Sequence, residues 1–227
     1  NNIARALGLS NRPFDQLIAG WSSGGRMKLV AGAARGPWGS TYFIEGLGIG
    51  LFTDTMSRLD ARKNVDLAHH DAAEKKLLLV SQLMNARLES CPAYRLKVRL
   101  DDQDLSGEYV LLEALNIRYV GPNLSLAPAA DPGDGLLDVV LVSKDERGQL
   151  KQFLDDRIEG KPNPSTLMVH RGRHLHIECD CYPVHIDDDV VLKNRPRTSF
   201  SSAVIDVTLE PGTLQMLVPA DIRSLLN

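Results

Sequence analysis

Strict alternation marks the middle of the chain. In "YRLKVRLDD" (94–102), Leu96, Val98 and Leu100 alternate with Arg95, Lys97 and Arg99, a period of two that predicts a strand with one face turned inward. "HLHIECDCYPVHID" (174–187) repeats the pattern, with Leu175, Ile177 and Cys179 on one face and His174, His176 and Glu178 on the other. "GEYVLLEALNIRYV" (107–120) and "GLLDVVLV" (135–142) read as further strands, the second buried by its composition. "TYFIEGLGIGLF" (41–52) reads as a glycine-studded strand suited to close backbone approach, and 202–219 as a closing hairpin across "EPG".

The helical period is rarer. It predicts one long helix over 66–90, whose stripe is Leu77, Val80, Met84 and Leu88 and which ends before Pro92. Short helices are expected at 149–160, around Ile3, Ala6 and Leu7 with Gly8 as the stop, and in "RPFDQLIAGW", where Phe14, Leu17, Ile18 and Trp21 share a face. The sum is a mainly β (α+β) fold, a β-sandwich or open barrel carrying one long helix and two or three short ones.

Composition narrows the class without naming it. Of 227 residues, 43% are hydrophobic and 24% charged, an ordinary globular balance with enough chain for a core. A net charge of −3 argues against a nucleic-acid partner. Contact with a membrane surface would have to be local and transient. The three cysteines (Cys91, Cys179, Cys181) make a poor disulfide framework and suggest reduced thiols in a cytoplasmic setting. No apolar run approaches the ~18–20 residues of a membrane span, so a soluble protein is expected.

Several constellations can be weighed for chemistry. His69 and His70 are adjacent and point to different helix faces; His174 and His176 share a strand face, but no third ligand of matching spacing is evident. "EGLGIG" (45–50) is glycine-rich, yet no helix is expected directly after it, so it does not complete a phosphate-binding turn. In "AADPGDGLLDVVLV" (129–142), Asp131, Asp134 and the carbonyl of Leu136 could converge on Mg²⁺ or Ca²⁺. The pattern alone favours a polar turn closed by aspartate hydrogen bonds. In "HIDDDV", Asp187 and Asp189 would face the same way on an extended segment and suit a general base or a metal-water relay. A solvated turn is the alternative.

The order of these pieces carries more than any one of them. "NNIARALGL", "FIEGLGIG", "NLSLAPAADPGDGLLDVVLV", "CYPVHIDDDV" and "PGTLQMLVP" together resemble the soluble bacterial diacylglycerol kinase-like lipid kinases, a superfamily that includes NAD kinases and sphingosine kinases. The resemblance runs over essentially the whole chain and is most specific at 123–140. It implies a nucleotide-binding α/β domain followed by a β-sandwich, with phosphate passing from ATP to a lipid hydroxyl between them.

Residue by residue, the resemblance implies that Asp131, Asp134 and Leu136 hold a structural Mg²⁺. Asn1 and Asn2 match the Asn-Asp of a Gly-Thr-Ala-Asn-Asp motif in the nucleotide pocket. Asp187 and Asp189 match the ends of an Asp-Gly-Glu motif, whose acidic end, Asp189 here, is the implied base. Asp188 stands where the family has glycine, and Asp189 is one methylene shorter than the family's glutamate.

The family's Gly-Gly-Asp-Gly-Thr phosphate cradle is not found in these residues. Residues 1–227 are therefore expected to be the C-terminal, lipid-side domain of a kinase, inactive when isolated, with the nucleotide domain represented only by its last residues. The implied setting is cytoplasmic and peripheral at the membrane, with a homodimer possible. "KNRPRTS" (193–199), holding Lys193, Arg195 and Arg197, could touch anionic headgroups. Two other functions remain open: a non-catalytic lipid- or ion-binding regulatory module, and a kinase acting on a soluble alcohol or nucleotide.

Overall fold

The computed structural model describes residues 1–10, 12–61, 73–161, 165–180, 182–192 and 202–219. His69, His70, Cys181 and the basic stretch 193–199 lie outside the described residues, as does the start of the expected long helix. Helix α1 (Asn2–Ala6) is capped by the Asn1 side chain, which accepts from the Ala4 N–H at 3.0 Å, and is followed by Gly8 in a left-handed conformation. Helix α2 (Phe14–Gly20) starts after Pro13. It buries none of its residues; Phe14, Ile18 and Trp21 are exposed, Phe14 to 71%.

Strand β1 (Gly25–Gly36) turns into β2 (Gly39–Phe43), and β3 (Gly46–Gly50) follows at once. The expected strand over 41–52 is thus broken in two, and helix α3 (Leu51–Ala61) begins directly after it. Gly50 explains the switch. Its φ of +107° turns the chain against the Val110 carbonyl, where a Cβ would sit only 2.3 Å from the oxygen. The expectation that no helix follows "EGLGIG" is therefore wrong. Helix α4 (Ala73–Leu88) buries Met84 and Leu88 fully and carries Leu77 and Val80 half-buried on the stripe expected of it.

The central strands follow their patterns. β4 (Tyr94–Leu100) buries Leu96, Val98 and Leu100 and exposes the three basic residues between them. After β5 (Gln103–Asp104) come β6 (Gly107–Leu115), the short β7 (Tyr119–Val120) and β8 (Leu124–Ser125), and then β9 (Leu137–Ser143). Every residue of β9 from Leu137 to Val142 is buried, as its largely apolar run predicts, and Asp138 is buried with it. Helix α5 (Arg147–Ile158) buries Leu150, Phe153 and Leu154. β10 (Val169–Gly172) follows, then β11 (His174–Cys179) and β12 (Val184–Ile186), which divide what the alternation suggested was one strand over 174–187, and then β13 (Asp189–Val191).

The closing hairpin is not formed. Residues 203–218 are a single strand, β14 (Ala203–Val218), paired antiparallel with β1 along its length. An irregularity absorbs the "EPG" segment, since Leu29 lies opposite Leu214 while Ala31 lies opposite Glu210. Among the described residues the strands order as β13-β12-β3-β6-β4-β11-β14-β1-β2, with β9 on β6 and β10 on β9. The fold is mainly β, as expected.

The sheet curls around one core and carries helices on its back. Inward residues such as Phe43, Ile49, Leu112, Val139, Ile177 and Val207 form the first cluster. The opposite face, with Val110, Leu111 and Val140, packs against Leu51, Met84, Leu88 and Leu154 from α3, α4 and α5. Among the described residues no helix is long and apolar enough to cross a membrane.

Candidate functional site

Three aspartates form the β12–β13 turn. Ile186 pairs with Asp189, leaving Asp187 and Asp188 as the two linking residues. Asp187 and Asp189 therefore do not share a face of an extended segment, which corrects that expectation. The left-handed residue is Asp187 (φ 47°) and not Asp188, a conformation aspartate adopts more readily than most residues. The Asp187 carboxylate accepts from the backbone N–H groups of Ile44 (3.0 Å), Glu45 (2.8 Å) and Gly46 (3.1 Å). Its acceptor capacity is spent on holding the β2–β3 connection to the turn. Asp189 opens β13 and is exposed.

A pocket lies behind this turn, between the sheet and helices α3 and α4. It spans about 460 Å³ including its open mouth. Phe52, Met56, Leu59, Val80 and Met84 make its walls apolar, while Glu45, Asp188 and His185 stand among its lining residues. Burial raises the Glu45 carboxyl above the ordinary range; the Asn2 hydrogen bond opposes the shift, and the charges of Asp188 and Asp187 add to it. Asn2 Nδ2 donates to Glu45 Oε2 at 2.8 Å and to the Gly121 carbonyl at 3.2 Å. Asn2 is only 7% exposed, and its Oδ1 has no hydrogen-bond partner. Of the two asparagines singled out in the sequence, Asn2 thus reaches the site, whereas Asn1 serves as the α1 cap.

Beneath the mouth lies an ion pair that the sequence did not reveal. His185, 2% exposed, places Nε2 at 3.0 and 2.9 Å from the two carboxylate oxygens of Glu113, which is 0% exposed. His185 Nδ1 lies 3.2 Å from the Asp187 carbonyl. Both neighbours of the ring are acceptors, so the geometry calls for an imidazolium donating from both nitrogens. Burial pulls His185 down, but the Glu113 charge and hydrogen bond outweigh it and hold the imidazole above its ordinary range. Burial pushes Glu113 up against the opposing pull of His185. Gly48 leaves the space that the Glu113 carboxylate fills. The available signals were a lone glutamate in "VLLEAL" and a lone histidine in "PVHI", because a charge inside an apolar strand implies a buried partner.

The loop of Asp131 and Asp134 is closed by its own bonds. Asp131 Oδ1 accepts from the Gly133 N–H at 2.8 Å and Asp134 Oδ1 from the Leu136 N–H at 2.9 Å. The other Asp134 oxygen pairs with Arg171, whose Nε lies 3.3 Å from Asp138 Oδ1. Oxygen donors suit a hard cation, but the Arg171 guanidinium already stands among these carboxylates, and an ion would have to displace it. Asp138 is 1% exposed; burial pushes its carboxyl up to about 6, against the pull of Arg171. Arg171→Ala should therefore destabilise the fold by about 2 kcal/mol, discounted for the partial exposure of the arginine. Adding Asp138→Asn should restore most of the loss in urea denaturation. An Arg171→Ala variant as stable as the parent would mean that Asp138 is compensated by another group.

On the outer face of β11, His176 Nδ1 lies 2.8 Å and His174 Nε2 3.3 Å from Asp206 Oδ1 of β14. Sequence spacing could not supply that third group. Among the described residues no set of three or more His, Cys, Asp or Glu side chains is placed to hold a metal ion.

Residues 56–218 match the family described as the YegS C-terminal NAD kinase beta sandwich-like domain. A diacylglycerol kinase of Mycobacterium tuberculosis (strain CDC 1551 / Oshkosh) is 28% identical over 118 residues, which are 52% of this chain and 35% of that protein. The H37Rv strain's diacylglycerol kinase matches to the same extent. The chain thus aligns with about a third of the length of these relatives. A crystal structure of a diacylglycerol kinase from Bacillus anthracis str. Sterne superposes with a TM-score of 0.61 at 18% identity, covering 98% of this chain and 66% of that one. At that identity the likeness is one of fold.

Proposed function

The chain belongs to the YegS C-terminal NAD kinase beta sandwich-like domain family, and from that premise we propose that it forms the lipid-side part of an ATP-dependent kinase acting on a diacylglycerol-like hydroxyl. The observation that carries this reading is an apolar pocket whose lining includes three carboxylate residues, Glu45, Asp187 and Asp188; Asp187 is engaged by backbone amides, leaving the other two, and Asn2 is bonded to Glu45. Acyl chain fits the walls, and a hydroxyl held at the mouth finds acceptors for its proton.

Glu45 is the better base of the two, since its raised pKa brings it closer to neutrality. Asp188 orients the hydroxyl. Asp187 sets the turn through the amides it binds, and the exposed Asp189 serves as an outer acidic group. ATP is held by a nucleotide-binding part of the polypeptide to which Asn1 and Asn2 connect, and the Mg²⁺ that accompanies ATP screens its phosphate charge. Because such a substrate resides in a bilayer, the enzyme works at the membrane surface, where the exposed Phe14 and Ile18 of α2 and Trp21 just after it suit an interfacial environment.

The test is ATP-dependent phosphate transfer to dioctanoylglycerol by the full-length protein. Glu45→Gln should lower kcat by roughly 10²-fold. Met56→Trp, which puts an indole into the pocket, should raise KM for lipid. Residues 1–227 alone should transfer nothing. Unchanged rates in both variants, or transfer only to water-soluble alcohols, would sink the reading.

A further inference from the structure

The acidic loop before β9 lies where the resemblance implies a structural Mg²⁺, yet the groups around it do not fit one. Mg²⁺ takes about six oxygen ligands and Ca²⁺ about six to eight. Most oxygens of the loop already accept from the protein. Asp131 Oδ1 and Asp134 Oδ1 hold the Gly133 and Leu136 N–H groups. The Asp131 carbonyl accepts from the Asp134 N–H at 3.3 Å, the Pro132 carbonyl from the Val30 N–H at 2.8 Å, and the Ala130 carbonyl from Arg118 Nε at 3.2 Å. The second Asp134 oxygen is taken by Arg171.

The loop nevertheless needs positive charge. Asp138 is 1% exposed, and neither of its carboxylate oxygens has a partner in hydrogen-bond geometry. Asp134 and Asp131 are close enough for their charges to act on it. Arg171 meets the demand from the neighbouring strand. It lies directly opposite Asp138 in the β9–β10 pairing, with Nε 3.3 Å from Asp138 Oδ1 and Nη2 on Asp134. A planar guanidinium faces two carboxylates at once and keeps its charge at any working pH. Among the described residues it is the one cation within ion-pair distance of these aspartates. Arg26, Lys28 and Arg118 line the hollow on the open side of Asp131 and Asp134, about 1040 Å³ including its mouth, so a dication entering there meets positive charge first.

We infer that Arg171 does in this chain the work of a divalent cation: it clamps the 131–138 segment to β10 in place of Mg²⁺, so the folded domain neither needs nor binds a divalent ion there. This holds whatever the pocket beside α3 and α4 accepts.

The test follows urea unfolding of the chain in EDTA, in millimolar magnesium chloride and in millimolar calcium chloride, all at one ionic strength. The parent midpoint should be the same in all three. Arg171→Ala should unfold at lower urea in EDTA and regain at least half of that loss in one of the two salts, because Asp138 and the freed Asp134 oxygen then take up the ion. If Arg171→Ala does not fold in EDTA, recovery of its circular dichroism on adding either ion is the same readout. Arg171→Ala/Asp138→Asn no longer needs a cation and should be indifferent to both salts. Arg171→Lys keeps the charge and should be indifferent too.

A parent midpoint that rises with Mg²⁺ or Ca²⁺, with the rise gone in Asp134→Asn, would overturn the inference, since an ion would then sit beside Arg171. A rise untouched by Asp134→Asn comes from another site, and the comparison of Arg171→Ala with the parent still decides. If Arg171→Ala gains no ion response beyond the parent's, Arg171 is not holding an ion's place and the inference falls.

Discussion

Glu113→Ala should cost the domain about 3–5 kcal/mol, because it leaves a buried imidazolium facing an empty space. The pair is fully enclosed, and His185 Nε2 sits within 3.0 Å of both carboxylate oxygens, so the loss falls on a group removed from bulk solvent. The penalty should depend on pH in a defined direction. His185 stands above its ordinary value in the folded protein. Its contribution is therefore fully present below the unfolded value of about 6.5 and is lost as pH rises through the folded one. Without Glu113, burial, the largest influence on His185, is opposed only by the Asp187 carbonyl and charge and pulls it the other way.

Urea denaturation followed by tryptophan fluorescence should accordingly show the widest gap between parent and variant near pH 6 and a narrower one near pH 9. A gap that widened towards alkaline pH would contradict a charged His185. Replacing both partners, as in Glu113→Leu with His185→Leu, should recover much of the stability, since the second buried charge goes too. It would also release the Asp187 carbonyl from its donor.

Gly48→Ala should be nearly as damaging, at about 3 kcal/mol, for a steric reason at the same place. A Cβ on Gly48 would lie 2.2 Å from Glu113 Oε1, 2.4 Å from its Cδ and 2.5 Å from Oε2. The carboxylate must move, and it cannot move without leaving His185. The two substitutions should therefore couple. In a Glu113→Ala background the added methyl enters vacated space, and the cost of Gly48→Ala should fall by at least half. Equal costs in both backgrounds, read from urea midpoints, would show that the methyl clashes with something other than the carboxylate.

These two residues also illustrate what was legible in the sequence. β4 and β11 could be read because one face is solvated and alternation survives. β9 could be read because its burial on both faces leaves a run that is apolar except for Asp138. The α3 helix could not, since its first residues, Leu51 and Phe52, continue the apolar composition of the strand before them. Only the backbone angle at Gly50 divides the two. The 203–218 hairpin failed for a different reason. Pro-Gly signals a turn locally, but pairing with β1 on one side carries the strand straight through it.

The site was half legible for similar reasons. The acidic turn stands out in the sequence, and so does the loop at Asp131 and Asp134. That Asp187 and Asp188 line the pocket while Asp189 opens a strand depends on a two-residue turn that propensity does not position. Glu45, His185 and Glu113 come together from β12, β6 and the β2–β3 connection, elements far apart in the chain, and each looks unremarkable among its own neighbours.

The long pairing of β1 with β14 has a consequence for how the chain reaches this state. Arg35 lies opposite Asp206 and Gly25 opposite Val218, so strands near the two ends of the described chain must find each other across most of its length. β14 is also the strand that joins β1 and β2 to β11 and the rest of the sheet. A ribosome must therefore finish nearly the whole domain before its first strands have a place to dock. Such high contact order favours slow folding, with the apolar edges of β1 and β11 exposed in the interval. The early β1–β2 hairpin waits for the last strand, and productive synthesis of this protein should be sensitive to anything that shields those edges until β14 arrives.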